Sequence, residues 1–468
     1  MTATIIRGGY LVDPANGREG HFDVLLREGR VVEIAPEVSD AGAEEIDARG
    51  RLVIPGIIDC HVHLSNWLGG PPGHRMLALA GVTTALDLAG PIADVVDITA
   101  ESGCGLTIGC IDYVRPGHTV SSADPDKAEL QDALTTATNA GAIGQKILGG
   151  HFPLTPDATA RVIEVAAERG TYVAFHAGTL EQPQNIAGMQ EACELACGNP
   201  LHLAHINSYA RGLDASAYEE AEAAIEMLAP RANIWSESYL APFNGNSGKC
   251  AQGVPESVAT QRNVARGGFE PTTHGLAEAI RKGWALVHVN VDGLNQLVGG
   301  EQALNAWRDA ETDIGLSFYA NPFEARVKLA IDKRADGTFA VDALATDGGG
   351  VPRNDLCLRG LALTRLEGMS LSDFVHKVCT APARMIGLSA RKGHLGIGAD
   401  ADVTIIDEAS HVPVSSFVHG RPILRDGEVV GRGGQFLTLP EGVAAVSDRG
   451  LDVIELGHGT MLPSKPLH

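Results

Sequence analysis

No run of eighteen apolar residues occurs in the 468-residue chain, which excludes a membrane-spanning helix of ordinary length. Positive charge is scarce: 36 lysines and arginines face 58 aspartates and glutamates, for a net charge of −22. A surface of that sign neither attracts nucleic acid nor settles on an anionic membrane. The eight cysteines show no paired spacing, which fits a reducing compartment better than a disulfide framework. The opening residues, Met1 to Arg7, form no charged-then-apolar leader, so a cytoplasmic protein is expected. With 44% hydrophobic and 20% charged residues the balance is that of a globular protein.

What is present falls into three parts. Residues 1–54 read as short strands separated by turn signals such as Pro14-Ala-Asn16 and Glu28-Gly29. Residues 55–390 alternate short apolar runs with helical stretches, the signature of βα units. Eight candidate strands begin near Ile57, Val82, Leu106, Ile143, Tyr172, Leu201, Asn233 and Ala343. The fold class expected is therefore α/β, a distorted (β/α)8 barrel interrupted by a lid-like insertion at about 241–340. Strand patterns return over 391–437, and together with 1–54 they should form one small β-sandwich. Residues 438–468 show no period and read as a tail.

Chemistry-bearing side chains cluster where barrel strands end, the rim on which such folds build active sites. Strand one closes in His61 and His63, which alternation aims to one side, a natural pair of ligands for a divalent ion. Lys146 lies among apolar neighbours in strand four, His176 ends strand five, His205 ends strand six, and Asp347 precedes three glycines at strand eight. Six groups that are costly to bury, on five strand ends, point to a site for one or two divalent ions. Imidazole and carboxylate donors suit zinc. A carbamylated Lys146 would be a carboxylate able to bridge two ions, which removes the cost of burying an ammonium. Water held there is acidified toward hydroxide, and Asp347 is placed to take and return its proton. The chemistry indicated is hydrolysis of an amide-type C–N bond.

The run Pro55-Gly-Ile-Ile-Asp-Cys-His-Val-His63, followed by Lys146, His176, His205 and Asp347, resembles the amidohydrolase superfamily. The segment from Gly393 to Asp407 looks like the return strand such enzymes place after the barrel, so the likeness spans residues 1 to about 432. It implies that His61 and His63 bind the more buried of two zinc ions and that Lys146 is N6-carboxylysine bridging both. It implies further that His176 and His205 bind the second ion, and that Asp347 is the acid/base touching the first. The implied substrate is a small molecule, a cyclic amide or imide or an N-acyl amino acid, and the implied assembly a homo-oligomer (dimer or tetramer).

The interval of 29 residues from His176 to His205 is similar to that of N-acyl-D-amino-acid deacylases and isoaspartyl dipeptidases. Deacylases of the D-amino-acid type use a cysteine ligand after strand two. The stretch Val82 to Asp87 has none, which favours the carbamylated lysine. A layout like that of the amidohydrolase-fold chain of formylmethanofuran dehydrogenase gives the alternative, formyl-group chemistry in a larger complex. A non-catalytic scaffold is the third reading, and six filled ligand positions speak against it. Substrate contacts are expected from His151, Tyr239, His288 and Arg353.

Overall fold

The structure is a computed structural model describing residues 3–465. Both ends of the chain build one sheet. Val403–Asp407 pairs antiparallel with Arg51–Pro55, which lies beside Thr4–Asp13, and the order runs on to Arg18–Arg27 and Arg30–Ala35. On the other side follow Val412–Val418, Arg421–Arg425 and Glu428–Val429, and Glu44–Asp47 pairs with Thr4–Asp13. Ile6, Leu11, Val24, Val53, Val403 and Phe417 form its buried core.

The parallel strands form two arcs. One orders Gly348–Gly349, Ile57–His63, Val82–Asp87, Cys104–Cys110, Gly433–Thr438 and Asp452–Glu455. The other orders Ala343–Leu344, Ile234–Ser238, Leu201–Leu203, Tyr172–His176, Gly144–Leu148 and Asp112–Val114. Two interrupted strands link the arcs: Cys104–Cys110 continues through Ile111 into Asp112–Val114, and Ala343–Leu344 continues through 345–347 into Gly348–Gly349. The architecture is thus mixed α/β. The stretch after 432, expected to split between sandwich and tail, instead supplies two strands beside Cys104–Cys110. Its pattern is too short to read because its partner is distant: Thr107 Oγ1 donates to Gln435 Oε1 at 3.2 Å, 328 positions away.

Local chemistry sets the helices between strands. Thr155 caps Pro156–Arg169 by accepting from the Ala158 N–H, Pro156 opens the first turn, and Gly170 closes the helix in the left-handed conformation. Ser216 and Glu219 form a reciprocal capping box at the start of Ala217–Leu228. No helix among the described residues is long and apolar enough to cross a membrane.

Within residues 241–340 lies a separate module. Its antiparallel sheet orders Asn246–Ser247, Gly315–Phe318, Ala285–Val291 and Leu294–Val298. Leu276, Ile280, Leu304, Trp307 and Phe318 give it a core of its own. At its hairpin, Asn295 Nδ2 donates to Gly69 O at 3.0 Å and Gly350 O at 2.8 Å, tying it to the loops after the first and last barrel-type strands.

Candidate metal centre

Strand Ile57–His63 carries its two histidines to the rim, with ring centroids 5.3 Å apart. Asp347 meets them there: its Oδ1 lies 2.8 Å from His63 Nε2 and 3.3 Å from His61 Nε2. Donor atoms of the three all fall within 4.8 Å of one another. Asp347 is delivered by a break in its strand. Asp59, on the same strand as His61, takes the Thr346 N–H at 3.1 Å and its hydroxyl at 2.5 Å, and Asp347 then turns into the left-handed region at φ 51°. Such a conformation is costly for a residue with a side chain and is held only by its surroundings. Arg353 supplies part of that hold, donating Nε to Asp347 O at 2.5 Å and pairing Nη2 with Oδ2 at 2.5 Å. Burial by itself would raise the Asp347 carboxyl. The Arg353 guanidinium and the two imidazoles outweigh it and hold the group well below the usual carboxylate range.

A second pair stands beside the first. His176 ends strand Tyr172–His176, and His205 follows strand Leu201–Leu203 in the left-handed region at φ 36°. His205 Nε2 and His176 Nδ1 are 3.1 Å apart. The His205 ring stacks on that of His61 at 5.3 Å, which brings the two pairs together. Burial lowers both His176 and His205 well below the ordinary histidine range, which favours the neutral rings that donate a lone pair to a metal. Lys146, in strand Gly144–Leu148, is 1% exposed and its Nζ has no hydrogen-bond partner. Burial brings its amine down to about 8 despite the raising influence of Glu237 and Asp347.

These residues fit divalent metal. Two ligands about 2.0–2.1 Å from a tetrahedral ion lie roughly 3.3 Å apart, close to the spacing inside each group. His61 Nδ1 contacts the acceptor Glu237 Oε1 at 2.7 Å, so the ring proton sits on Nδ1 and Nε2 is bare. A nitrogen in that state faces a carboxylate oxygen at 3.3 Å, a contact that a cation between the two makes favourable. Lys146 Nζ, His176 Nε2 and His205 Nδ1 are further buried atoms without partners.

The four residues expected to touch substrate lie in different settings. His151 is exposed, with its ring 5.1 Å from that of His176. Tyr239 is buried, its hydroxyl accepting from Asn321 Nδ2 at 3.1 Å under the Arg353 guanidinium. His288 belongs to the inserted sheet and contacts Ser317 Oγ at 2.8 Å. Arg353 is occupied by Asp347 and by Phe243 O. Sequence reasoning missed Glu237, whose one signal is an acid between two serines in an apolar strand, and His202, three residues before His205. It also missed Arg211, which donates to Asn321 Oδ1 and Ser208 Oγ at 3.1 Å each.

Residues 325–430 match the model of the amidohydrolase family. A dihydroorotase of Pelotomaculum thermopropionicum is 26% identical over 88% of this chain and 90% of its own. Among solved structures, N-acyl-D-glutamate deacylase from Bordetella bronchiseptica, complexed with zinc and a phosphonate inhibitor, superposes with a TM-score of 0.67 at 18% identity, covering 92% of this chain and 98% of that one. A chain of the formyltransferase/hydrolase complex from Methylorubrum extorquens, in complex with methylofuran, gives 0.66 at 17% identity and covers 97% and 100%.

Proposed function

We propose that this chain, similar to the amidohydrolase family over residues 325–430 and to dihydroorotase over most of its length, is a metal-dependent hydrolase of an amide-type C–N bond in a small molecule, a cyclic amide or imide or an N-acyl amino acid. We read the two strand arcs as one distorted (β/α)8 barrel, residues 1–54 with the returning strands of 403–429 as the accompanying sandwich, and residues 241–340 as a cover over the rim. The observation that carries the proposal is the meeting of His61, His63 and Asp347 beside the His176–His205 pair.

In this reading the metal is zinc. His61, His63 and Asp347 would hold one ion, His176 and His205 a second, and a carbamylated Lys146 would bridge them. The orphaned Lys146 Nζ supports that modification, since a carbamate is an anion with two oxygens to place on cations. When bound, the ions supply Lewis acidity that lowers the pKa of water and polarises the scissile carbonyl. The chain contributes the rest. Asp347, anionic beside Arg353, accepts the water proton and later delivers it to the leaving nitrogen. Arg353 holds Asp347 at two points, its Nε on the main-chain carbonyl and its Nη2 on the carboxylate. His151, Tyr239 and His288 remain the proposed substrate contacts, with a homo-oligomer in the cytoplasm as the working form.

The test is metal analysis of wild type and Lys146→Ala alongside a substrate panel of hydantoins, lactams, imides and N-acyl amino acids. Two ions per chain in wild type are expected, with loss of metal and at least hundredfold lower turnover in the variant. Unchanged metal content and activity in Lys146→Ala would reject the site. The formyl reading is favoured by the likeness to the formyltransferase/hydrolase chain. It wins if the lone protein is inert on the panel and active only with partner chains.

A further inference from the structure

Behind the histidines lies a chain of buried polar groups. Glu237, on strand Ile234–Ser238, is fully buried, and its Oε1 accepts from His61 Nδ1 at 2.7 Å and from the backbone N–H of His205 at 2.7 Å. His202 Nε2 lies 3.5 Å from the same oxygen, and His202 Nδ1 contacts the Tyr172 hydroxyl at 2.9 Å. Tyr172 and His202 are buried too.

A carboxylate oxygen only accepts, so Glu237 decides which nitrogen of His61 carries the proton. It leaves Nε2 bare on the side facing Asp347. The same oxygen also grips the backbone of His205, which has left strand geometry at φ 36° and ψ 66°. One atom thus governs the ring of a ligand in the first group and the main chain of a ligand in the second. His202 Nε2 stays 3.5 Å from that oxygen and makes no hydrogen bond, so the hold on His61 and His205 comes from Glu237 alone.

Resting on the functional reading above, we propose that Glu237 is a positioning residue that holds His61 in its Nδ1-protonated form and His205 in its turn, so that both nitrogen groups face their ions together. Glu237 touches neither substrate nor reacting atoms. Its effect is read on metal affinity and on the ligand field.

The experiment compares wild type, Glu237→Gln and Glu237→Ala as full-length proteins titrated with Zn²⁺ and Co²⁺ in metal-buffered solution. Stoichiometry is read by elemental analysis and geometry by the visible Co²⁺ spectrum. Loss of such a support costs about 10- to 100-fold in metal affinity. Glu237→Gln keeps one acceptor oxygen and should fall about tenfold. Glu237→Ala should fall further, with a shifted Co²⁺ band. A role confined to packing would lower melting temperature and leave that band in place. Wild-type affinity and an unshifted band in both variants would overturn the proposal, and the near-isosteric Gln variant decides if Ala does not fold. A wild type that takes up no divalent ion overturns the functional reading and this inference together, whereas metal-loaded but indifferent variants sink the inference alone.

Discussion

Gly150 occupies a position where a methyl group would stand 2.1 Å from His176 Nε2. The ring cannot retreat freely, because its Nδ1 is matched to His205 Nε2 at 3.1 Å. Gly150→Ala should therefore displace His176 and weaken divalent metal binding by about tenfold, measured by competition with a chromogenic chelator, while the far-ultraviolet spectrum stays unchanged. Among the candidate site residues, His61, His63 and Lys146 stood out in the sequence because strand alternation and apolar neighbours make an imidazole or amine there conspicuous. Glu237 was not: its meaning depends on His61 and His205, 176 and 32 positions away, and no local period relates them. His205 and Asp347 were legible as chemistry but not as geometry. The sequence pattern puts both on strands, and both turn out of them at positive φ.

At the scale of elements, the turn His376–Thr380 joins the helices Leu371–Val375 and Ala381–Ile386 as a π-turn and buries Lys377 completely. The amine donates to Ala330 O at 2.7 Å and Val341 O at 2.9 Å, and lies 4.3 Å from the centre of the Phe339 ring. Burial lowers Lys377 from 10.5 to about 7. The unfolded chain, with the higher pKa, binds more protons between those values, so this group makes folding more favourable as pH rises from about 7 to 10.5. Urea melts of wild type and Lys377→Met at pH 7 and pH 9.5 test this. Wild type should gain stability relative to the variant at the higher pH, and a difference independent of pH would contradict it.

For the molecule as a whole, the strands after residue 432 are part of the parallel core. Phe436 is fully buried in the largest apolar cluster, in register with Ile108 on one side and Val453 on the other. Phe436→Ala should cost about 3–5 kcal/mol by chemical denaturation, as a large-to-small change in a packed core does. A loss below about 1 kcal/mol would mean that this strand is dispensable. The βα rhythm was readable in the chain because each strand and its helix are neighbours in sequence. The addition at Cys104–Cys110 was not, since nothing local announces a partner on the far side of the molecule.

That distant pairing has a consequence for synthesis. While the ribosome is still making the middle of the polypeptide, the edge of Cys104–Cys110 that will receive Gly433–Thr438 has no mate, and its amides and carbonyls stand open to water or to another nascent chain. The protein must guard that unpaired border until the sealing segment is made, 328 positions beyond Thr107 at Gln435.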